Sequence, residues 1–318
     1  MNILITGGAG FIGRNLVKKL VKTENSITVI DDFSNGSIEN IKEFMSLSNF
    51  SFFEMGIEDK KYINTIFDLK KFDICFHLAA RINVQDSIDD PYDTFNSDVV
   101  GTMNVLEGCR KNNTKFVFMS TCMVYEKATN ESGISENHRT KPASPYAGSK
   151  IASENLALSY YYTYNLPVAI IRPFNTYGPY QKSNGEGGVV SIFIDRVKKM
   201  QDIDIYGDGL QTRDLLYVDD CVDFIISAGF SDKSNGEIIN AGLGEDISIN
   251  DLADMISGGK VNINHIKHIH PQSEIMKLKC DSKKAKELLN WKPKFALHEG
   301  INSMKEWINL LENGGKYE

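Results

Sequence analysis

Ile3-Leu4-Ile5-Thr6-Gly7-Gly8-Ala9-Gly10-Phe11-Ile12-Gly13 decides the fold. An apolar run of strand length passes directly into glycines at positions 7, 10 and 13, and an amphipathic stretch follows (Phe11, Ile12, Leu16, Val17, Leu20, Val21). This pattern predicts a buried parallel strand turning tightly into a helix. Gly7 permits the turn, Gly10 lets a pyrophosphate approach the backbone, and Gly13 lets helix and strand pack closely. The helix N-terminus then faces the phosphates.

A second strand, Ile27-Thr28-Val29-Ile30, ends at Asp31-Asp32. A carboxylate there accepts hydrogen bonds from the adenosine ribose and repels a 2′-phosphate, so the expected cofactor is NAD rather than NADP. Farther along, strands are expected near 50–54, 73–77, 115–120 and 167–172, with helices near 60–70, 91–112 and 145–164. Such alternation requires crossovers and a sheet covered on both faces. The expected class is therefore α/β, a doubly wound parallel sheet of the Rossmann kind.

Beyond Arg172 the pattern becomes irregular. Asn175-Thr-Tyr-Gly-Pro-Tyr180 and 183–188 read as loops, followed by a helix near 189–200, a strand at 203–206 and a helix near 218–229. The expected division is a cofactor domain of residues 1–174 plus about 209–243. A smaller C-terminal lobe, about 175–208 and 244–318, closes over the sheet edge with the active site between.

The net charge of −7 gives no reason to expect nucleic-acid binding. Five cysteines lie far apart, so neither a zinc cluster nor a disulfide framework is indicated, and a reducing compartment fits. The first strand starts at Asn2, leaving no room for a signal peptide. No apolar run approaches the roughly 20 residues that span a bilayer. The expectation is a cytoplasmic protein without a membrane partner.

Tyr146 and Lys150 are four apart in an expected helix and so share a face. A phenol with an ordinary pKa of about 10 becomes a usable base when positive charge lies close to it. The pair follows Phe116-Val-Phe-Met-Ser120-Thr121, a strand whose C-terminal end is where doubly wound folds bind ligands. Thr121 is placed to hydrogen-bond the same substrate hydroxyl that Tyr146 deprotonates.

With these residues the chain resembles the extended short-chain dehydrogenase/reductase family, in its branch of NAD-dependent nucleotide-sugar epimerases and dehydratases. Further matching pieces are His77-Leu-Ala-Ala80, Asp90-Pro91, Asn96 with Gly101-Thr102, Val124-Tyr125, Arg172-Pro-Phe-Asn-Thr-Tyr-Gly-Pro179, Tyr206-Gly-Asp-Gly209 and Arg213-Asp214. The resemblance implies a cofactor surface of Gly7, Gly10, Phe11, Ile12, Gly13, Asp31, Asp32, Ser34, Asn35, Gly36, Ile57, Leu78, Ala79, Ala80, Asn96, Ser120, Tyr146, Lys150 and Pro173. For a nucleotide-diphosphate sugar it implies contacts from Val84, Thr121, Cys122, Met123, Asn175, Val189, Val190, Ile205, Tyr206, Arg213, His270 and Glu274. Thr121 and Tyr146 engage the sugar 4-hydroxyl in that scheme, while Asn175 and Arg213 hold the diphosphate.

Where the dehydratases it resembles typically carry Asp and Glu after the threonine, this chain has Cys122 and Met123. A thioether transfers no proton, which makes a 4-epimerase the leading expectation. The alternatives are a dehydratase using Cys122 as its acid, a net C4 dehydrogenase releasing a keto sugar, and a non-catalytic regulatory binder. Two other positions depart from the family. Met55-Gly56-Ile57 lacks the acid that usually meets adenine, leaving adenine to backbone groups, and His270 stands where an arginine often precedes the proline. His265, His268 and His270 alternate as on a strand face, but no metal site is expected. The helices near 91–112 and 145–164 carry Val99, Val100, Met103, Leu156, Leu158, Tyr160, Tyr161 and Tyr162, and the resemblance implies a homodimer through them.

Overall fold

A computed structural model describes residues 1–128, 133–183, 188–268 and 275–312, the side chains of 311 and 312 excepted. In chain order the first half runs β1 (Asn2–Thr6), α1 (Phe11–Leu20), β2 (Ser26–Asp31), β3 (Phe50–Glu54), α2 (Lys60–Leu69), β4 (Ile74–His77), α3 (Val84–Asp89) and α4 (Pro91–Phe95). A π-helical turn, Asn96–Gly101, leads into α5 (Thr102–Asn112), β5 (Lys115–Met119), α6 (Pro145–Tyr164) and β6 (Val168–Pro173). The second half holds β7 (Asn175–Tyr177), α7 (Val189–Lys198), β8 (Ile203–Tyr206), β9 (Thr212–Arg213), β10 (Leu215–Tyr217), α8 (Val218–Phe230) and β11 (Glu237–Ala241). Next come β12 (Ile247–Ser248), α9 (Ile249–Ser257), β13 (Ile263–Ile266), α10 (Lys283–Leu289) and α11 (Leu297–Glu312).

Seven strands form one sheet in the order β3-β2-β1-β4-β5-β6-β11, every pairing parallel. Successive strand residues point to opposite faces. Leu4, Ile30, Cys75, Phe116, Phe118 and Ile170 therefore pack beneath α2, α5 and α6, while Ile3, Ile5, Val29, Phe76, Val117 and Ile171 pack beneath α1 and α8. Both faces are covered, as the near-continuous apolar strands require. The direction of winding reverses between β1 and β4, and a crevice for ligands opens at that switch point, beyond the strands' C-terminal ends.

The long helix expected near 91–112 is instead α4, a π-helical turn and α5, with the short α3 before it. Asp90 caps α4 by accepting from the Asp93 N–H at 3.0 Å, with Pro91 in the first turn. The π turn sits where Gly101 lies against Ile57, since a methyl group on Gly101 would come 2.6 Å from that side chain. Among the described residues no helix is long and apolar enough to cross a membrane, and no group of His, Cys, Asp and Glu could hold a metal. All five cysteines are buried free thiols.

Candidate active site

A cleft of about 350 Å³ opens at the switch point. Gly7 has φ +72°, and a side chain on it would lie 2.6 Å from the Ala79 backbone nitrogen, so the ends of β1 and β4 can meet only over glycine. A methyl on Gly13 would collide with the Gly7 carbonyl and stand 2.8 Å from the Gly8 Cα. Gly10 is different: a methyl there meets a single atom, the Gly7 carbonyl oxygen at 3.3 Å. The chain itself fills the space over Gly7 and Gly13 and leaves open the space over Gly10, which is the arrangement a pyrophosphate needs.

Asp31 ties this turn to the end of β2. Its Oδ2 accepts from the Ala9 N–H and its Oδ1 from the Phe33 N–H, both at 2.9 Å. Burial raises its pKa above the ordinary carboxylate value. Each oxygen keeps a second lone pair for a ribose hydroxyl. Asp32 accepts from the Ser34 N–H at 2.9 Å and lies 3.4 Å from Arg81. Burial works against its charge, but the Ser34 hydrogen bonds and the Arg81 guanidinium outweigh that and lower its pKa.

Adenine was expected to be left to backbone groups, yet Glu58 and Arg81 also line this end of the cleft. The Glu58 carboxylate folds back into the volume that a side chain at position 56 would occupy, 3.9 Å from Arg81. Gly56 thus makes room for a carboxylate supplied two residues later, a substitution visible in sequence only through the Gly-Ile-Glu spacing.

At the other end stands α6. Ser144 caps it, accepting from the Ala147 N–H at 3.2 Å, and Pro145 opens its first turn. These signals fix Tyr146 at the helix start and Lys150 one turn later, both buried and both lining the cleft. The Thr121 hydroxyl lines the cleft with the Tyr146 phenol, near enough to favour its ionised form, and accepts from the Met123 N–H at 3.2 Å, capping the short turn Cys122–Val124. Lys150 donates to the Met119 carbonyl at 3.1 Å, its Nζ 5.9 Å from the centre of the Tyr146 ring. The expectation sets two positive charges, the Lys150 ammonium and a bound nicotinamide ring, against the phenol; without the ring, burial, and next the negative charge of Asp98, push its pKa up. Burial lowers that of Lys150, while Asp98 and Glu154 oppose the fall. Tyr146 therefore rests as a phenol, and its deprotonation depends on positive charge brought against it.

Cys122 is buried, and burial pushes its thiol up to about 12. A thiol so held stays protonated near neutrality and forms no thiolate base. Cys122 packs with Val124, Tyr125, Phe174 and Cys280. Beneath the site, Glu154 accepts from Ser120 and from Arg172, the latter through Nε at 2.8 Å and Nη2 at 2.5 Å. This buried link joins α6, β6 and the end of β5.

Every residue of the expected cofactor surface lines the cleft except Asn96; Ser97 lines it instead. The π turn shifts by one residue which side chain faces the crevice. Of the expected sugar-nucleotide contacts, Thr121, Cys122, Met123 and Asn175 line it. The Asn175 Oδ1 is buried and has no hydrogen-bond partner among the described residues, as suits a polar group reserved for a ligand. Val84 begins α3, Val189 and Val190 begin α7, and Ile205 and Tyr206 end β8, all outside the cleft lining. Val190 and Ile205 are buried in the core. Arg213 donates to the Thr212 and Ile275 carbonyls at 2.8 and 2.9 Å, also outside the lining, though close enough to lower the Cys122 pKa. His270 and Glu274 lie outside the described residues. Sequence reading missed Asp98, Glu154, Tyr180, Gln181 and Lys182, the last three from the loop after β7 that lines the cleft.

The fold and this cleft define a doubly wound dinucleotide-binding protein with a Thr121, Tyr146, Lys150 set at the switch point. The chain belongs to the GDP-mannose 4,6 dehydratase family, whose model matches residues 4–304. It is similar to Pal from Bacillus thuringiensis, whose X-ray structure has 58% sequence identity and a TM-score of 0.96, covering 98% of this chain and 100% of that one. It is 34% identical to the UDP-glucose 4-epimerase of Mycolicibacterium smegmatis, over 97% of this chain and 98% of that protein. The UDP-glucuronic acid 4-epimerase of Bacillus cereus, solved with UDP-4-deoxy-4-fluoro-glucuronic acid and NAD, has 30% identity and a TM-score of 0.89, covering 98% and 100%.

Proposed function

We propose that this chain is an NAD-dependent nucleotide-sugar 4-epimerase. The observation that carries the reading is that the Thr121 and Tyr146 hydroxyls both line the cleft beyond the end of β5, with the non-acidic Cys122 and Met123 next to Thr121. Among the described residues the carboxylates lining the cleft are Asp31, which ends β2, and Asp32 and Glu58, which follow β2 and β3, so all three stand two or more strands away from β5. Tyr146 has a proton acceptor's position against a 4-hydroxyl, and none of the described cleft residues beside it is a carboxylate placed to expel a 6-hydroxyl.

In this reading the two hydroxyls grip the sugar alcohol, and Tyr146 takes its proton as C4 is oxidised. Lys150 supplies fixed positive charge behind the phenolate. NAD, held by the Gly7–Gly13 turn and Asp31, would supply reversible hydride chemistry at C4. Thr121 and Tyr146 hold the returning oxygen after the sugar has turned its other face, and Tyr146 gives the proton back. Asn175 and Arg213 take the diphosphate, and the segment around Ile205 and Tyr206 borders the base. Residues 1–174 with about 209–243 form the cofactor domain, and about 175–208 with 244–318 form the smaller lobe holding the sugar nucleotide.

A homodimer through α4, α5 and α6 accounts for the exposed Tyr92, Phe95, Val100, Met103, Tyr162 and Tyr164. Val99 and Tyr160 are buried within the protomer and take no part. Solution scattering at micromolar concentration checks this; a monomeric mass contradicts it. We place the protein in the cytoplasm, in keeping with five reduced cysteines.

The direct test of function incubates the NAD-loaded protein with UDP-, GDP- and dTDP-sugars and resolves the products by NMR. One sugar is expected to yield its C4 epimer without net NADH. Loss of water from any of them, with no C4 epimer from the rest, overturns the assignment.

A further inference from the structure

Asp98 is a buried carboxylate, 1% exposed, on the π turn Asn96–Gly101. Its Oδ1 accepts from the Arg81 N–H at 2.7 Å, and Oδ2 has no hydrogen-bond partner among the described residues. Its own carbonyl accepts from Ser153 of α6 at 2.7 Å and from Thr102 at 2.5 Å. The Ser153 bond fastens the π turn to the catalytic helix three residues past Lys150. A turn residue serving only geometry has no use for a carboxylate with one oxygen unpaired in the interior, because such a group costs stability.

We infer that Asp98 is the counter-charge of the Tyr146–Lys150 pair, a positioning residue that sets the protonation of both side chains without touching substrate. The groups that face it are Lys150 and Tyr146 from α6, the Arg81 guanidinium from the segment after β4, and Glu58 from the segment after β3. Its negative charge raises the Tyr146 pKa and resists the fall that burial imposes on Lys150. Asp98 keeps the ammonium charged and also sets how much positive charge is needed to release the phenol's proton. Burial raises its own pKa to about 6, which Lys150 and Arg81 oppose. Through Asp98 the pair therefore answers to pH near 6.

The inference deepens the proposed function and rests on it for its kinetic arm alone. In one arm, ligand-free protein carries 13C-labelled tyrosine at Cζ, and the Tyr146 signal is identified by its loss in Tyr146→Phe. That signal is expected to step near pH 6 as Asp98 ionises, and the step is expected to vanish in Asp98→Asn, which keeps the acceptor for the Arg81 N–H. Asp98→Glu keeps the charge and is expected to restore a step should the amide fail to fold. In the kinetic arm, both limbs of kcat/KM against pH are expected to move to lower pH by about one unit in Asp98→Asn, since loss of the anion lowers both the phenol and ammonium pKa values. A wild-type signal without a step, or limbs unmoved under a uniform loss of rate, overturns the inference. A step in a protein that turns over no sugar nucleotide leaves the inference standing and removes the proposed function.

Discussion

Replacing Arg172 by Met is expected to strand a charge under the active site. Arg172 and Glu154 are each 3% exposed and joined by two hydrogen bonds of 2.8 and 2.5 Å, with Ser120 also donating to Glu154. Arg172 lies 4.7 Å over the Tyr125 ring, whose hydroxyl donates to Asn240 at 2.7 Å. Ser120 offers no charge, and with Arg172 gone the buried carboxylate loses its ion-pair partner and both hydrogen bonds from it, keeping only the charge of Lys150. Breaking a buried pair in this way costs about 3–5 kcal/mol. With unfolding entropy of roughly 2.1 cal/mol/K per residue, a chain of 318 residues melts about 5–7 °C lower.

Removing both charges tests the cause. Glu154→Leu with Arg172→Met leaves no ion in the interior and is expected to recover most of the loss. The assay is urea and thermal unfolding of wild type, both single variants and the double variant, closed as a cycle. A single Arg172→Met variant within about 1 kcal/mol of wild type, or a double variant no more stable than that single, refutes the reasoning.

Gly13→Ala is expected to lower the melting temperature through backbone overlap costing about 1–3 kcal/mol. Gly10→Ala is expected to leave melting nearly unchanged and weaken NAD binding in calorimetry, because its methyl enters only the cleft; equal losses of stability contradict this. Cys122→Ser is expected to keep most turnover, since the thiol is held protonated by burial. Complete loss of activity there would restore the thiol to the chemistry.

Local chemistry made much of this legible. Glycines at 7 and 13 carry their meaning in sequence because no other residue fits those backbone contacts, Gly10 because a side chain there would enter the cleft, and β1, β2, β4, β5 and β6 read clearly because burial on both faces leaves continuous apolar runs. Tyr146 and Lys150 were readable because four residues make one helical turn. Asn96, which the resemblance offers as a cofactor contact, lies on a π turn that adds a residue to the helical repeat; Ser97 lines the cleft there and Asp98 is buried behind it. Glu58 stayed hidden because its role depends on a chain reversal over Gly56, and Glu154 because its partners Ser120 and Arg172 are remote in sequence. The C-terminal half was read least well. Its short strands pair across 34 to 60 residues, as β12 does with β9 and β13 with β8, and such pairing leaves no local period.

The central claim is that one sugar hydroxyl is gripped by Thr121 and Tyr146 while C4 is oxidised and then reduced by the same bound cofactor. A nucleotide sugar deuterated at C4, turned over in ordinary water and analysed by mass spectrometry and NMR, tests it directly. The account predicts that the label remains on C4 of the product with a slowed rate, and that Tyr146→Phe reduces turnover about a thousandfold. Label washed out into solvent, or a phenylalanine variant as active as wild type, contradicts it.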